Sequence, residues 1–272
     1  MRRNGKAMTK NIKLYTLGVL IFLLLLSLGS IEGLVGALCY PLAFILPSAG
    51  LLLITKAKEL PKLSGKLTVS DFIPLIAPAL LLIFGAAYLT AFILFNALGA
   101  ESSVNVTGDP VSDVVTLAIA PALLEEMLFR YLPLKIIAPY SKKTALLIST
   151  LFFALAHSSL FSIPHAAVAG VIFMSLDLIA ASPLPSVILH LSNNLFSIGW
   201  EYTFPGGSAH LLIIALAILA VISLIVMIVY RKKYLKLLAT LFDPEDRTTL
   251  PAYTLALALP TLLAAILELI GQ

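Results

Sequence analysis

The chain has 272 residues, of which 60% are hydrophobic and 12% are charged, and its net charge is +4. Soluble domains carry about 25% charged residues, because they need a polar surface. This composition excludes an ordinary water-soluble enzyme and indicates one domain, residues 1–272, that is solvated by lipid. The small positive charge follows from the distribution of basic loops, so it does not indicate a nucleic-acid partner.

Long apolar segments predict about eight or nine membrane helices. A straight helix needs about 20 apolar residues to cross the hydrocarbon core, and some of the segments are shorter. Runs of this length without polar alternation indicate helices, whose backbone groups are satisfied without water. We therefore expect an all-α, polytopic transmembrane helical bundle. The segments lie near residues 14–30, 34–55, 72–98, 114–134, 145–161, 166–181, 186–199, 210–230 and 250–270.

Basic residues fall in alternate loops, which predicts the orientation of the bundle. Short loops rich in Lys and Arg stay on the cytoplasmic side. Such residues cluster at the N-terminus and in residues 56–66, 142–143 and 231–236, whereas residues 99–113 and 200–209 contain no Lys or Arg. We expect a multi-pass integral membrane protein with a cytoplasmic N-terminus. Its membrane would be the plasma membrane in a prokaryote and the endoplasmic reticulum in a eukaryote.

Three ionisable residues, Glu125, Glu126 and Arg130, lie inside the apolar segment 114–134. A charge at the centre of a membrane helix costs roughly 2.5 to 3.5 kcal/mol on insertion scales, so this group indicates a functional constraint. Glu126 precedes Arg130 by four residues, which predicts an ion pair on one helix face. Glu125 lacks such a partner in its own helix. We expect it to face a cavity or a polar group of another helix.

Two histidines lie in other apolar segments, each with a partner four residues away. Phe153 precedes His157 in one segment, and His190 precedes Asn194 in another. This spacing places each pair on one helix face. A carboxyl group in an apolar pocket can act as a general base on water at neutral pH. The residues therefore predict a hydrolytic site around Glu125, with His157 or His190 as its partner.

The stretches EEMLFR, FALAH and HLSNN resemble, in this order, the motifs of the CAAX-processing and bacteriocin-processing intramembrane glutamate proteases, which include the type II CAAX prenyl endopeptidases. The motif core spans about residues 114–199. The resemblance implies that Glu125 deprotonates a water with help from His157. It further implies that His190 and Asn194 donate hydrogen bonds to the oxyanion of the tetrahedral intermediate.

The resemblance also implies supporting roles for three residues. Glu126 and Arg130 would hold the surroundings of Glu125 in place. Phe153 would pack beside the site. The implied partners are a peptide or protein substrate, which is prenylated in one branch of the family, and the lipid bilayer.

No metal cofactor is implied by the resemblance. The residues alone leave this question open, because Glu125, His157 and His190 would also make an acceptable two-histidine, one-glutamate zinc set. Water held by a carboxylate and water held by zinc are therefore alternatives from the sequence. We follow the resemblance and expect no metal.

Two other functions fit the same residue types. Intramembrane Glu, His and Arg build proton relays in transporters, where helices are often interrupted, so a proton-coupled transporter is one alternative. The polar residues of this chain lie in one region without a counterpart in the other half, whereas many transporters show paired repeats. A non-catalytic immunity or scaffold protein of the same family is the other alternative, and the intact motifs argue against it.

Overall fold

A computed structural model of the protein describes residues 2–28, 34–56, 65–98, 106–205 and 208–241, with short stretches and single positions between 246 and 263. These residues are helical or irregular and include no strand, so the predicted all-α bundle is confirmed. The last predicted segment, 250–270, lies mostly outside the described residues. Lys58 and Lys62, which contribute to the charge pattern, also lie outside them.

Eight helical stretches follow one another between residues 2 and 239 in the described part of the chain. They are α1 (Arg2–Ser27), α2 (Leu34–Ile54), α3 (69–98), α4 (110–136), α5 (Lys142–Ala156), α6 (Ser162–Ala180), α7 (Leu184–Thr203) and α8 (Ala209–Ala239). The long helix α3 contains a short 3₁₀ turn at Ile73–Leu75. The eight stretches correspond to the first eight predicted segments.

Four of the described helices are long and apolar enough to cross a membrane: Gly5–Ser27, Val69–Ala97, Ser162–Ala180 and His210–Ala239. The last of these spans most of α8, and only 6% of its most apolar window is buried inside the protein. Soluble proteins rarely expose an apolar surface of this size, whereas lipid solvates it at no cost. The protein is therefore a membrane protein, and most of the apolar surface of α8 is exposed.

Helix α4 lies at the centre of the bundle, in contact with α1, α2, α5, α6 and α7. It is irregular, because two π-helical stretches, Val114–Ile119 and Met127–Tyr131, flank the α-helical stretch Ala120–Glu126. The first π-helical stretch ends just before Pro121, which has no N–H to donate. Short π-helical stretches within α-helices frequently occur at functional sites.

Side chains of neighbouring helices bind backbone carbonyls of the second π-helical stretch. The Tyr15 hydroxyl of α1 donates to the Leu128 carbonyl at 3.3 Å. The Ser149 hydroxyl of α5 donates to the Phe129 carbonyl. Backbone groups in a membrane need protein partners, because the hydrocarbon offers no water. These bonds therefore stabilise the irregular backbone that follows the predicted acidic pair.

A polar contact joins the start of α4 to the end of α7. The Asp113 carboxylate accepts hydrogen bonds from the Tyr202 hydroxyl at 2.6 Å and from the backbone N–H and hydroxyl of Thr107 at 2.9 and 2.8 Å. These hydrogen bonds lower the pKa of Asp113 below its ordinary value, and the bond from Tyr202 contributes most. The contact holds together the two helices that carry Glu125 and His190.

We expect Asp113→Asn to lower Tm at neutral pH and to have less effect in acid. A carboxyl group whose pKa is lowered by folding stabilises the protein above its unfolded-state pKa, and this stabilisation is lost as the pH falls through the folded-state pKa. The difference in Tm between the wild type and the variant should therefore shrink below about pH 3.9. Thermal unfolding in detergent across this range measures it, and a difference independent of pH would contradict the expectation.

Candidate active site

Glu126, Arg130 and His190 form a buried polar cluster between α4 and α7. Arg130 Nε lies 3.4 Å from Glu126 Oε2, and His190 Nδ1 lies 2.8 Å from Glu126 Oε1. The exposed fractions of Glu126 and Arg130 are 1% and 0%. A charge at this depth is stable only when it is paired. The Glu126–Arg130 contact predicted from the i, i+4 spacing is present, and His190 is a second partner of Glu126.

The ring of Phe153 connects this cluster to His157. The Arg130 guanidinium carbon lies 4.0 Å from the centroid of the Phe153 ring and 5.5 Å from that of Phe173. A guanidinium over an aromatic face is attracted by the ring electrons. The Phe153 centroid lies 4.8 Å from that of His157 and 5.8 Å from that of His190. The two motif histidines therefore contact the same ring and are not on opposite sides of the bundle.

Glu125 and His157 line a cavity of about 180 Å³ beside the cluster. The Glu125 Oε2 atom is buried and has no hydrogen-bond partner among the described residues. A polar site of this size can hold a water molecule that bonds to such an oxygen. The walls of the cavity are otherwise mostly apolar, and the remaining lining residues are Phe22, Leu26, Tyr40, Phe44, Phe129 and Ala156.

His157 lies at the end of α5. The sequence predicted an apolar helix over 145–161, but α5 ends at Ala156, and Ser158 has the left-handed φ of 56° that commonly follows a helix end. The His157 Nδ1 atom lies 2.8 Å from the Phe153 carbonyl oxygen. A carbonyl can only accept, so Nδ1 carries the proton and the neutral ring has an unprotonated Nε2 that can accept.

His190 and Asn194 lie on α7, outside the lining of the Glu125 cavity. His190 is buried, and its Nδ1 atom contacts Glu126. Asn194 is partly buried, and its Oδ1 atom accepts a hydrogen bond from Asn193 Nδ2 at 3.0 Å. The structure thus brings Glu125 and His157 to one cavity and joins His190 to the other glutamate.

Asp177 is a buried acidic residue near the cluster that the sequence analysis missed. Its Oδ1 atom accepts a hydrogen bond from the Ser186 N–H at 3.0 Å, and its Oδ2 atom has no partner among the described residues. It interacts electrostatically with Glu126 and Arg130. A lone acidic residue inside the apolar stretch of α6 was the signal that could have identified it.

His165, at the start of α6, is a second residue that the motifs did not indicate as part of the site. Its ring centroid lies 6.4 Å from that of His157. Its Nδ1 atom bonds to the Phe161 carbonyl at 3.2 Å. The contact between the two histidines crosses the turn between α5 and α6, so helical spacing could not predict it.

The zinc alternative requires Glu125, His157 and His190 to meet around one point. Over the described ranges, no group of three His, Cys, Asp or Glu side chains is arranged to hold a metal ion. His190 Nδ1 faces Glu126 Oε1 instead. The residues of this proposed zinc set therefore do not fit a metal site in the geometry described. An activity that needs no metal stays a prediction.

We expect Glu126→Ala to destabilise the protein strongly. The change leaves the buried Arg130 guanidinium without its carboxylate, and breaking a buried ion pair in this way costs roughly 3–5 kcal/mol. Tm and the yield of monodisperse protein in detergent measure the effect. Glu125→Gln is the control, because it removes the neighbouring charge from a carboxylate that has no ion-pair partner among the described residues, so it should change Tm little. Equal Tm values for Glu126→Ala and wild type would contradict the structural role.

A family model matches the part of the chain that carries the site. The match covers residues 107–196, and the family is described as type II CAAX prenyl endopeptidase Rce1-like. No curated protein and no solved structure matches the chain significantly. The matched region begins before α4, ends within α7 and contains all three motifs. Residues 107–196 therefore match the Rce1-like family of type II CAAX prenyl endopeptidases, in agreement with the resemblance of the three motifs.

Proposed function

We propose that the protein is an intramembrane endopeptidase in which Glu125 and His157 activate a water molecule for attack on a peptide bond. The observation that carries this proposal is the cavity that the two side chains share, in which Glu125 Oε2 has no partner among the described residues. The family match supports the hydrolase class. Glu125 is thus the carboxylate available for chemistry, and Glu126 is occupied by its ion pair.

The reaction follows from the acceptors that the cavity presents. A water between Glu125 Oε2 and His157 Nε2 donates one hydrogen bond to each. Glu125 takes one proton as the water oxygen bonds to the carbonyl carbon, and the π electrons of the carbonyl move to its oxygen. The C–N bond then breaks, and the leaving amine takes the proton from Glu125. General-base catalysis of this kind contributes typically about 10² to 10⁴-fold to the rate.

On the α7 side, we assign His190 and Asn194 as hydrogen-bond donors to the oxyanion. Because the Nδ1–H of His190 donates to the Glu126 carboxylate, its Nε2 atom is the ring nitrogen that remains for the substrate, and it donates to the oxyanion when the ring is the doubly protonated imidazolium. The Asn194 amide lies one turn further along α7. This assignment comes from the resemblance of HLSNN to the third family motif, and the contact with Glu126 supports a fixed orientation of the His190 ring.

The proposed substrate is the C-terminal segment of a CAAX-type protein, which is the substrate class in the description of the family. The mostly apolar wall of the cavity is consistent with a substrate that carries an apolar group beside the scissile bond. Phe22 packs against Phe44 at 4.7 Å and against Phe129 at 5.6 Å between ring centroids. A prenyl chain is an apolar group that such a wall and the surrounding lipid would solvate.

Glu125→Gln should abolish measurable cleavage while the fold survives. The amide keeps the shape of the side chain but cannot accept the proton of the attacking water, so kcat should fall by about 10² to 10⁴-fold. Cleavage of prenylated and unprenylated CAAX peptides by protein purified in detergent measures the effect. The variant should keep the wild-type Tm, which separates loss of the base from loss of structure. Wild-type kcat in this variant would contradict the mechanism.

The same assay distinguishes the alternatives. Chelators should leave cleavage unchanged if the carboxylate alone holds the water, and should abolish it if an accessible zinc does. A wild-type protein that cleaves no candidate peptide, but moves protons or a solute across vesicle membranes in a Glu125-dependent manner, would establish the transporter function instead.

We further propose that the N-terminus and the start of α5 lie in the cytoplasm and that the end of α7 lies outside. The alternation of basic and acidic loops supports this orientation. In a variant without Cys39, Lys142→Cys should react with an impermeant maleimide only from the cytoplasmic face. Glu201→Cys should react only from the outer face. Labelling of position 142 from the outside would reverse the orientation.

A further inference from the structure

The cavity beside Glu125 contains a polar side chain that the proposed reaction has not used. Among its lining residues, three carry polar side-chain atoms: Glu125, His157 and Tyr40. Tyr40 comes from α2, which lies outside the three motifs and outside the matched region 107–196. The cavity therefore has a third polar residue in its lining, on a helix other than those of Glu125 and His157.

The hydroxyl of Tyr40 is available for a ligand. Its ring packs on Phe44 with a centroid separation of 5.3 Å, and the hydroxyl is close enough to Glu125 for the two to interact electrostatically. Tyr40 is partly buried, whereas Tyr15 is fully buried and donates its hydroxyl to the Leu128 carbonyl. In the described part of the chain, the Tyr40 hydroxyl has no such hydrogen bond.

The chemistry of the cavity indicates what this hydroxyl does. Glu125 and His157 both accept hydrogen bonds, and together they account for the two protons of the attacking water. The hydroxyl of Tyr40 is a donor. Hydrolysis of a peptide bond needs a donor at the carbonyl oxygen, where negative charge develops. His190 and Asn194, the donors expected from the motifs, do not line this cavity.

We propose that Tyr40 is a further catalytic residue whose hydroxyl donates a hydrogen bond to the oxyanion of the tetrahedral intermediate. This inference rests on the proposed endopeptidase function. Tyr40 keeps its proton throughout: the oxyanion gains its electron pair from the carbonyl π bond, and the leaving amine receives its proton from Glu125. The hydroxyl stabilises the developing charge and releases the oxygen when the carbonyl re-forms and the C–N bond breaks.

Tyr40→Phe tests the inference, because it removes the hydroxyl and keeps the ring contact with Phe44. Loss of one oxyanion donor should lower kcat by about 10² to 10³-fold, with little change in KM or Tm. Tyr15→Phe is the matched control. It removes a hydroxyl that bonds to the Leu128 carbonyl outside the cavity, so it should lower Tm and leave kcat near the wild-type value.

The outcomes separate this inference from the proposed function. If wild-type protein cleaves the peptide and Tyr40→Phe retains its kcat, the inference is overturned and the endopeptidase function stands. If Tyr40→Phe instead removes the alkaline limb of the pH profile of kcat, Tyr40 transfers a proton, which contradicts the assignment as a hydrogen-bond donor. A wild-type protein that cleaves no peptide overturns both proposals. A large fall in kcat with an unchanged pH profile and Tm supports the inference.

Discussion

The buried guanidinium of Arg130 is the constraint on which the arrangement of this site depends. It is fully enclosed, so its charge must be balanced by protein groups. Glu126 supplies the opposite charge, and the Phe153 and Phe173 rings cover the guanidinium. A further contact joins Arg130 Nη1 to the Ser149 hydroxyl at 3.5 Å. These partners belong to α4, α5 and α6, so one charge holds three helices together.

The contacts of Arg130 also separate the two adjacent glutamates. Glu126 is paired with Arg130 and His190, whereas Glu125 faces the cavity with one oxygen that has no partner among the described residues. Neighbouring residues in a helix point about 100° apart, so one carboxylate can pair with Arg130 while the other faces the cavity. An ion-paired carboxylate is a poorer base than an unpaired one. The proposed division of roles between the two glutamates follows from this difference.

Features within a single helix could be predicted from the sequence. The composition indicated the helical bundle, and the i, i+4 spacing predicted the Glu126–Arg130 pair, because both depend only on residues close in the chain. The contacts of Glu126 with His190 and of Tyr40 with the cavity join helices that are far apart in sequence. No spacing rule specifies which helices become neighbours, so these contacts required the structure. The helix α5 ends earlier than predicted, and Ser158, just after its end, has a left-handed backbone conformation. A serine gives little indication in the sequence that it adopts this conformation.

A double-mutant cycle on Glu126→Gln and Arg130→Met, in which the free energy of unfolding is measured, shows whether Glu126 balances the buried charge of Arg130. Each single substitution leaves one buried group without its opposite charge, whereas the double substitution removes both charges and keeps much of the volume. We expect the double variant to lose clearly less stability than the sum of the losses of the two single variants. Losses that simply add would show that Glu126 does not balance Arg130, and would contradict the role of this ion pair in the bundle.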